Sequence, residues 1–204
     1  MIRFVALLIA TVLVAADGAP IAAQAPGAEA PPRQLVEALR AIYRLRQYTV
    51  FDWIGGRYDR GTLTLEGFAA RPALKERAEE VAKRSAGVDE VVNDIEVLPA
   101  LQSDDQLRLR MYVAIYGHPA LERYLPGGPS RMAVRELESA SFFGLESSSQ
   151  FTGAHPIHIV VSAASVQLFG SVSSAGDRQI AEAQLRGLPG VLNVINRIQV
   201  RGGR

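Results

Sequence analysis

The sequence predicts an α+β protein built from two tandem αββαβ units, each with two helices on one face of a three-stranded mixed sheet. The first observation behind this is a phrase at residues 87–97 (GVDEVVNDIEV) that returns at 190–200 as GVLNVINRIQV. The second is that each copy follows, at the same distance, a short alternating strand reaching a glycine, Gly67 or Gly170. Residues 61–97 and 164–200 therefore align without a gap and share ten identities. Self-similarity at fixed spacing marks a duplicated structural unit. The third is the alternation itself: Leu63 and Leu65 face one way and Thr62, Thr64 and Glu66 the other, as in a sheet with one buried and one wet face.

Ahead of the units, Met1-Ile-Arg3 supplies one positive charge, residues 4–16 are an apolar run, and residues 22–25 (AAQA) offer small residues for cleavage. This is the layout of a secretory signal peptide over residues 1–25, with an apolar run short for a membrane span. Residues 26–32, rich in Pro and Ala, read as a flexible leader. The expected location is periplasmic or secreted, after cleavage of the signal. The chain of 204 residues is 48% hydrophobic and 21% charged, with a net charge of +1 that loss of residues 1–25 leaves unchanged. No strong field remains to recruit nucleic acid. With no cysteine, disulfides, thiolate zinc sites and a cysteine nucleophile are excluded, and the cores alone must hold the fold.

The first unit is expected over 33–99. Leu35, Val36, Leu39, Ile42 and Tyr43 recur at the spacing of an amphipathic helix. The β-branched and aromatic residues at 48–54 predict the first strand, and 55–61, with Asp59-Arg60-Gly61, its turn. A strand at 62–67 follows, then a helix opened by Pro72 and stopped by Gly87 in the left-handed conformation. The closing strand turns Val91, Asn93, Ile95 and Val97 one way and Val92, Asp94 and Glu96 the other.

The second unit is expected over 103–202. The link at 98–102 is too short to be a free tether, so the units should touch. Ser103 and Gln106 stand at capping-box spacing ahead of Leu107, Met111 and Ile115. An insert at about 118–155 precedes the first strand at 157–162 and is read as a short helix over 130–143 with a Ser-rich return at 146–150. The second strand (165–170), a helix at about 176–188 and a strand at 194–200 complete the unit. Ala163-Ala164 occupies the hairpin turn, and alanine suits positive φ poorly, so a wider turn or shifted register is expected.

The order of a Leu-x-Gly strand, a helix carrying Ala-Glu (Ala78-Glu79 and Ala181-Glu182) and the phrase Gly-Val-x-x-Val-x-Asn-x-Ile-x-Val resembles the BON domain, here in two copies. The resemblance implies αββαβ modules of exported bacterial proteins that attach to phospholipid surfaces or envelope partners, with no catalytic residues and no cofactor. Gly67, Gly87, Asn93, Gly170, Gly190 and Asn196 carry this structural signature.

Other chemistry finds little support. His118, His155 and His158 are the three histidines; the last two are expected as polar residues at a strand start, and with no acid patterned beside them no metal site is predicted. Glu79-Glu80 and Asp104-Asp105 read as solvated or capping carboxylates, and Ser147–Ser149 lacks a nucleophile elbow or a paired histidine. A membrane contact has more behind it. Arg71, Lys75, Arg77, Lys83 and Arg84 make the second helix basic beside Phe68, although Glu76, Glu79 and Glu80 on the same helix offset that charge. On the outer sheet faces Glu66, Asp94 and Glu96 of the first unit correspond to Phe169, Arg197 and Gln199 of the second. These faces are expected to be solvated separately, with sheet-to-sheet pairing as the alternative. The candidate lipid- or partner-binding residues are therefore Phe68, Arg71, Lys75, Lys83, Arg84, Phe169 and Arg197. The expected partner is an anionic phospholipid surface or an envelope protein, in support of envelope integrity. The alternative is a chaperone-like module acting on exported clients as an oligomer.

Overall fold

The computed structural model of the chain describes residues 12–14, 20–22, 30–126, 134, 137 and 151–201. Two short strands, β1 (Val12–Val14) and β2 (Pro20–Ala22), pair antiparallel within the region expected to be a signal peptide, whose other residues lie outside this description. Among the described residues no helix is long and apolar enough to cross a membrane.

In the first unit, helix α1 (Arg33–Tyr43) buries Leu35, Ala38, Leu39, Ile42 and Tyr43. The hairpin of β3 (Trp53–Asp59) and β4 (Thr62–Ala69) follows, then α2 (Pro72–Ala82) and β5 (Glu90–Val97). The order is β3-β4-β5, with β4 antiparallel to β3 and parallel to β5. Leu63, Leu65, Ile54 and Ile95 meet Leu39, Ile42, Leu74 and Ala78 in one core, so the alternation reads correctly which face is buried.

Three expectations for this unit need correction. The first strand lies at 53–59, not 48–54, and Gly55 and Gly56 are inside it. A Cβ on Gly56 would lie 2.4 Å from the Thr64 carbonyl oxygen and 3.4 Å from Leu35 Cδ1, so glycine there is required by close approach. The turn shrinks to Arg60 and Gly61, at φ 43° and 89°, a two-residue hairpin loop of the kind that matches strand twist. Residues 48–52 instead form a turn, closed by the Asp52 amide on Thr49 O at 3.1 Å, that reaches across to the other unit: Tyr48 stays in the first core, while Val50 and Phe51 are buried in the second. The Val50 amide donates to Phe151 O at 2.8 Å, and its carbonyl accepts from the Ile159 amide at 2.8 Å. Finally, α2 ends at Ala82 and Gly87, at φ 76°, sits in a separate turn closed by the Val88 amide on Ser85 O.

In the second unit α3 (Gln102–Tyr116) leads to a short 3-10 turn (Glu122–Tyr124), β6 (Ile157–Ser162), β7 (Ser165–Val172), α4 (Ala175–Arg186), β8 (Asn193–Asn196) and β9 (Gln199–Val200). Its sheet is four-stranded because the expected third strand is broken after Asn196: β8 and β9 both run parallel to β7, in continuous register. The helix expected over 130–143 lies outside the described residues, except that Val134 and Leu137 pack on the second core.

The capping box does not form; position 101 caps α3 without a side-chain hydrogen bond. The Ala163-Ala164 turn is tight, with Ser162 paired to Ser165 and φ of 47° and 63° at the alanines. The reason is Asp104. Its buried carboxylate accepts from the amides of Ala163 (2.8 Å) and Ala164 (3.1 Å), holding a conformation that alanine disfavours by about 1–2 kcal/mol per residue.

The units do touch. Trp53 and Leu98 pack with Val160 and Phe169 in a small third core, with Phe68 against it. The sheets therefore meet at one end of their outer faces, which are not solvated separately there.

Candidate functional site

The repeated phrase is a scaffold whose hydrogen bonds are duplicated. Asn93 Nδ2 donates to Lys75 O and Glu79 Oε2, both at 3.0 Å, and its Oδ1 accepts from the Ile95 amide at 3.3 Å. Asn196 does the same with Arg178 O, Glu182 Oε2 and the Ile198 amide, at 3.0, 3.0 and 3.1 Å. Each asparagine thus fastens the closing strand to the preceding helix, and the Ala-Glu pair contributes its glutamate to that clasp. Hydrogen bonds from Lys83 first and then Asn93 hold the Glu79 carboxyl below its ordinary range; Arg186 and then Asn196 do so for Glu182. At Gly67 and Gly170, φ is 128° and 111°, and a Cβ would lie 2.0 Å from Trp53 O and 2.1 Å from Pro156 O. Replacing Asn196 by alanine should lower stability by about 1–2 kcal/mol, read as a shift of the urea midpoint with unchanged slope.

A second duplicated tie was hidden from the sequence. Tyr43 Oη donates to Ile54 O at 2.7 Å, and Tyr116 Oη to Ile157 O at 2.6 Å. Each is the last residue of its unit's first helix, bonded to the start of its unit's first strand. Burial pushes both phenols up. The insert between Tyr116 and Ile157 displaces this second pair from the repeat spacing, and an alignment that starts at residue 61 misses it.

The candidate binding residues separate into two places. Phe68, Phe169 and Arg197 lie at the seam between units. Phe169 is buried and stacks on Trp53 at 5.1 Å and 10°, Phe68 stands 6.0 Å from Phe169, and the Arg197 guanidinium lies 6.0 Å from the Phe169 ring centre. Arg197 Nε donates to Gln167 Oε1 at 3.1 Å, and Glu66 pairs with Arg57. Among the described residues no ion pair joins Arg197 to Glu66, Asp94 or Glu96, so the sheets meet through rings rather than opposite charges.

Lys75 lies on α2, with Arg71 at its N-terminal end and Lys83 and Arg84 just past its C-terminal end. Arg77 and Lys83 pair with Glu80 and Glu79 at 2.6 and 2.5 Å, and Arg84 lies 3.9 Å from Glu80. These side chains are exposed, where such pairs are weak and remain available to other anions. Arg71, ahead of the first turn, also lines a cleft of about 140 Å³ between the units, with Thr49, Phe51 and Arg108. Buried Arg108 there pairs with Asp105 and donates to Val161 O at 3.2 Å.

His155 and His158 stand at the start of β6 as expected, but both are buried, at the seam. Their rings are 6.2 Å apart, and His158 lies 5.4 Å from both Tyr48 and Trp53. Burial, and then the neighbouring His155, push the His158 imidazole down to about 3. No cluster of three or more metal-binding side chains occurs among the described residues. Asp177 is also buried and spoken for: it accepts from Arg123, from Tyr124 Oη (2.8 Å) and from Ser174 Oγ (2.7 Å), joining the start of the insert to the N-terminus of α4. Burial raises this carboxyl, yet hydrogen bonds from Arg123, Ser174 and Tyr124 outweigh it and bring the group to about 2.

A family model for the BON domain matches residues 57–99 and 139–202, together more than half of the chain. No curated protein matches it. Among solved structures, the C-terminal domain of CdsD, a structural protein of the Type III secretion system of Chlamydia trachomatis, is 13% identical. That match covers 81% of this chain and 98% of that one, with a TM-score of 0.24. A second CdsD structure is 12% identical, covers 78% and 90%, and also scores 0.24. At that score the likeness carries no conclusion about fold or function.

Proposed function

This chain belongs to the BON-domain family, with two copies in tandem, and from that premise we propose that it is an exported protein that binds anionic phospholipid at the cell envelope and supports envelope integrity. The family is envelope-associated and is not an enzyme family. The observation that carries the reading is on α2 and its two flanks, where Arg71, Lys75, Arg77, Lys83 and Arg84 outnumber Glu76, Glu79 and Glu80. Near an anionic surface each such charge contributes about 1 kcal/mol, and the exposed pairs with glutamate give way at little cost.

Co-sedimentation of the chain from Pro26 onward with phosphatidylglycerol vesicles tests this. Binding is expected at low salt, with loss as salt screens the surface and with phosphatidylcholine alone. Replacing Lys75 and Arg84 together by glutamine should weaken binding about tenfold or more. No sedimentation with anionic vesicles at low salt would remove the reading and leave the client-binding alternative.

A further inference from the structure

The end of the second unit that carries the β6–β7 turn is an apolar tip, and we propose that this tip inserts into the interfacial layer of the anionic bilayer. The inference rests on the lipid-binding reading and says which part of the surface goes in. Three segments make the tip and are joined by hydrogen bonds. The Asp104 amide donates to Leu101 O at 3.0 Å, the Asp104 carboxylate accepts from Ala163 and Ala164, and the Leu192 amide donates to Ala164 O at 2.9 Å. The tip is therefore pre-shaped, and docking would not have to order it.

Its side chains are unusual for a solvated surface. Leu192 is 80% exposed and Leu101 41%, with Ala163 open to solvent beside them. A leucine exposed to that degree has few neighbours on any side, so it projects. One exposed leucine is ordinary, but the other copy shows what this position looks like when it faces water. At the matching positions Asp59, Arg60, Asp89 and Glu90 become Ser162, Ala163, Leu192 and Asn193. In the first unit these are charged and exposed, with Arg60 and Asp59 side chains 91% and 73% accessible. In the second, residues 101–103, 162–165 and 189–193 hold no ionisable side chain. The same fold thus carries one end with exposed charges at its turns and one end whose turn residues are uncharged, the Asp104 carboxylate beneath them being buried.

A projecting tip suits a fluid interface better than a protein partner, because a stable protein contact needs a broad complementary face of about 800 Å² on each side. Interfacial insertion needs only apolar groups that reach below the headgroups and a cation beside them. Arg110 supplies the cation: a Cβ on Gly190 would lie 3.8 Å from its Nη2.

The test uses the full chain with tryptophan placed at the tip, Leu192→Trp, against Asp89→Trp at the matching point of the first unit. The native Trp53 is buried and serves as a constant background. With phosphatidylglycerol vesicles the emission of Leu192→Trp should shift to the blue and be quenched by brominated acyl chains, while Asp89→Trp stays as in buffer. Leu192→Glu should reduce co-sedimentation several-fold. If the protein sediments with vesicles but Leu192→Trp neither shifts nor is quenched, the tip inference fails and lipid binding stands. If no vesicle binds the protein, both fail. A blue shift that grows with protein concentration in the absence of vesicles would assign the tip to self-association and overturn the inference.

Discussion

Replacing Asp104 by alanine should cost about 3 kcal/mol of folding stability. The side chain is fully buried and is the acceptor for two amides of a turn that alanine alone would not hold. Its loss removes two part-buried hydrogen bonds to a charged acceptor, each worth about 1.5–3 kcal/mol. It also removes a negative charge from the first turn of α3, where the helix dipole favours one. Asp104→Asn keeps an acceptor and should fall between the two. The diagnostic variant is the turn itself: Ala163→Asn with Ala164→Gly, a pair suited to positive φ, should recover about 1–2 kcal/mol in the Asp104→Ala background. Urea denaturation of the four proteins decides it. An Asp104→Ala midpoint equal to that of the parent would show that the turn holds itself.

Acidification should weaken the fold well before most carboxylates titrate, through His158. In the unfolded chain an imidazole takes a proton near 6.5, but in the seam burial and the neighbouring His155 hold this one neutral down to about 3. Between those values the unfolded state binds one more proton than the folded state, so stability is complete above pH 6.5 and falls as pH drops towards 3. The slope is about 1.4 kcal/mol per pH unit, or about 2 kcal/mol lost by pH 5. Nε2 of His158 accepts from the His155 amide at 3.3 Å, which puts the proton of the neutral ring on Nδ1. Glutamine at 158 does not titrate and should flatten the profile between pH 7 and 5. An equally steep profile in His158→Gln would assign the proton elsewhere. Asp177 acts in a lower window: its carboxyl is depressed to about 2, so its contribution is present above about pH 4 and is lost as pH falls through 2.

The sequence was legible wherever a residue's role is set by its own unit. The alternation of Leu63 and Leu65 with threonines, the glycines at 67, 87, 170 and 190, and the asparagines at 93 and 196 all repeat because each copy must close the same strands over the same helix. The partners that make Asn93 and Asn196 matter, Glu79 and Glu182, were visible as a repeated Ala-Glu without a reason. The reason is a clasp across fourteen residues that only the fold brings together. The candidate surface was legible only in part. The basic run on α2 is local in sequence and remains a surface, whereas Phe68 and Phe169 read as exposed rings because nothing near them says that the other unit will cover them.

What the sequence determined by itself is the module: its element order, its buried faces, and the duplication, because these follow from periodicity and from backbone positions that admit only glycine. Tertiary structure decided where residues 48–52 go, how two alanines take up positive φ, and why two histidines are dry. Each of these is a contact between segments about sixty to a hundred and ten residues apart, Val50 with Phe151 and Ile159, Asp104 with Ala163 and Ala164, His158 with Tyr48 and Trp53. Composition fixes that such groups will be buried or satisfied, but the choice of partner is made by three-dimensional proximity, which leaves no period in the chain to read.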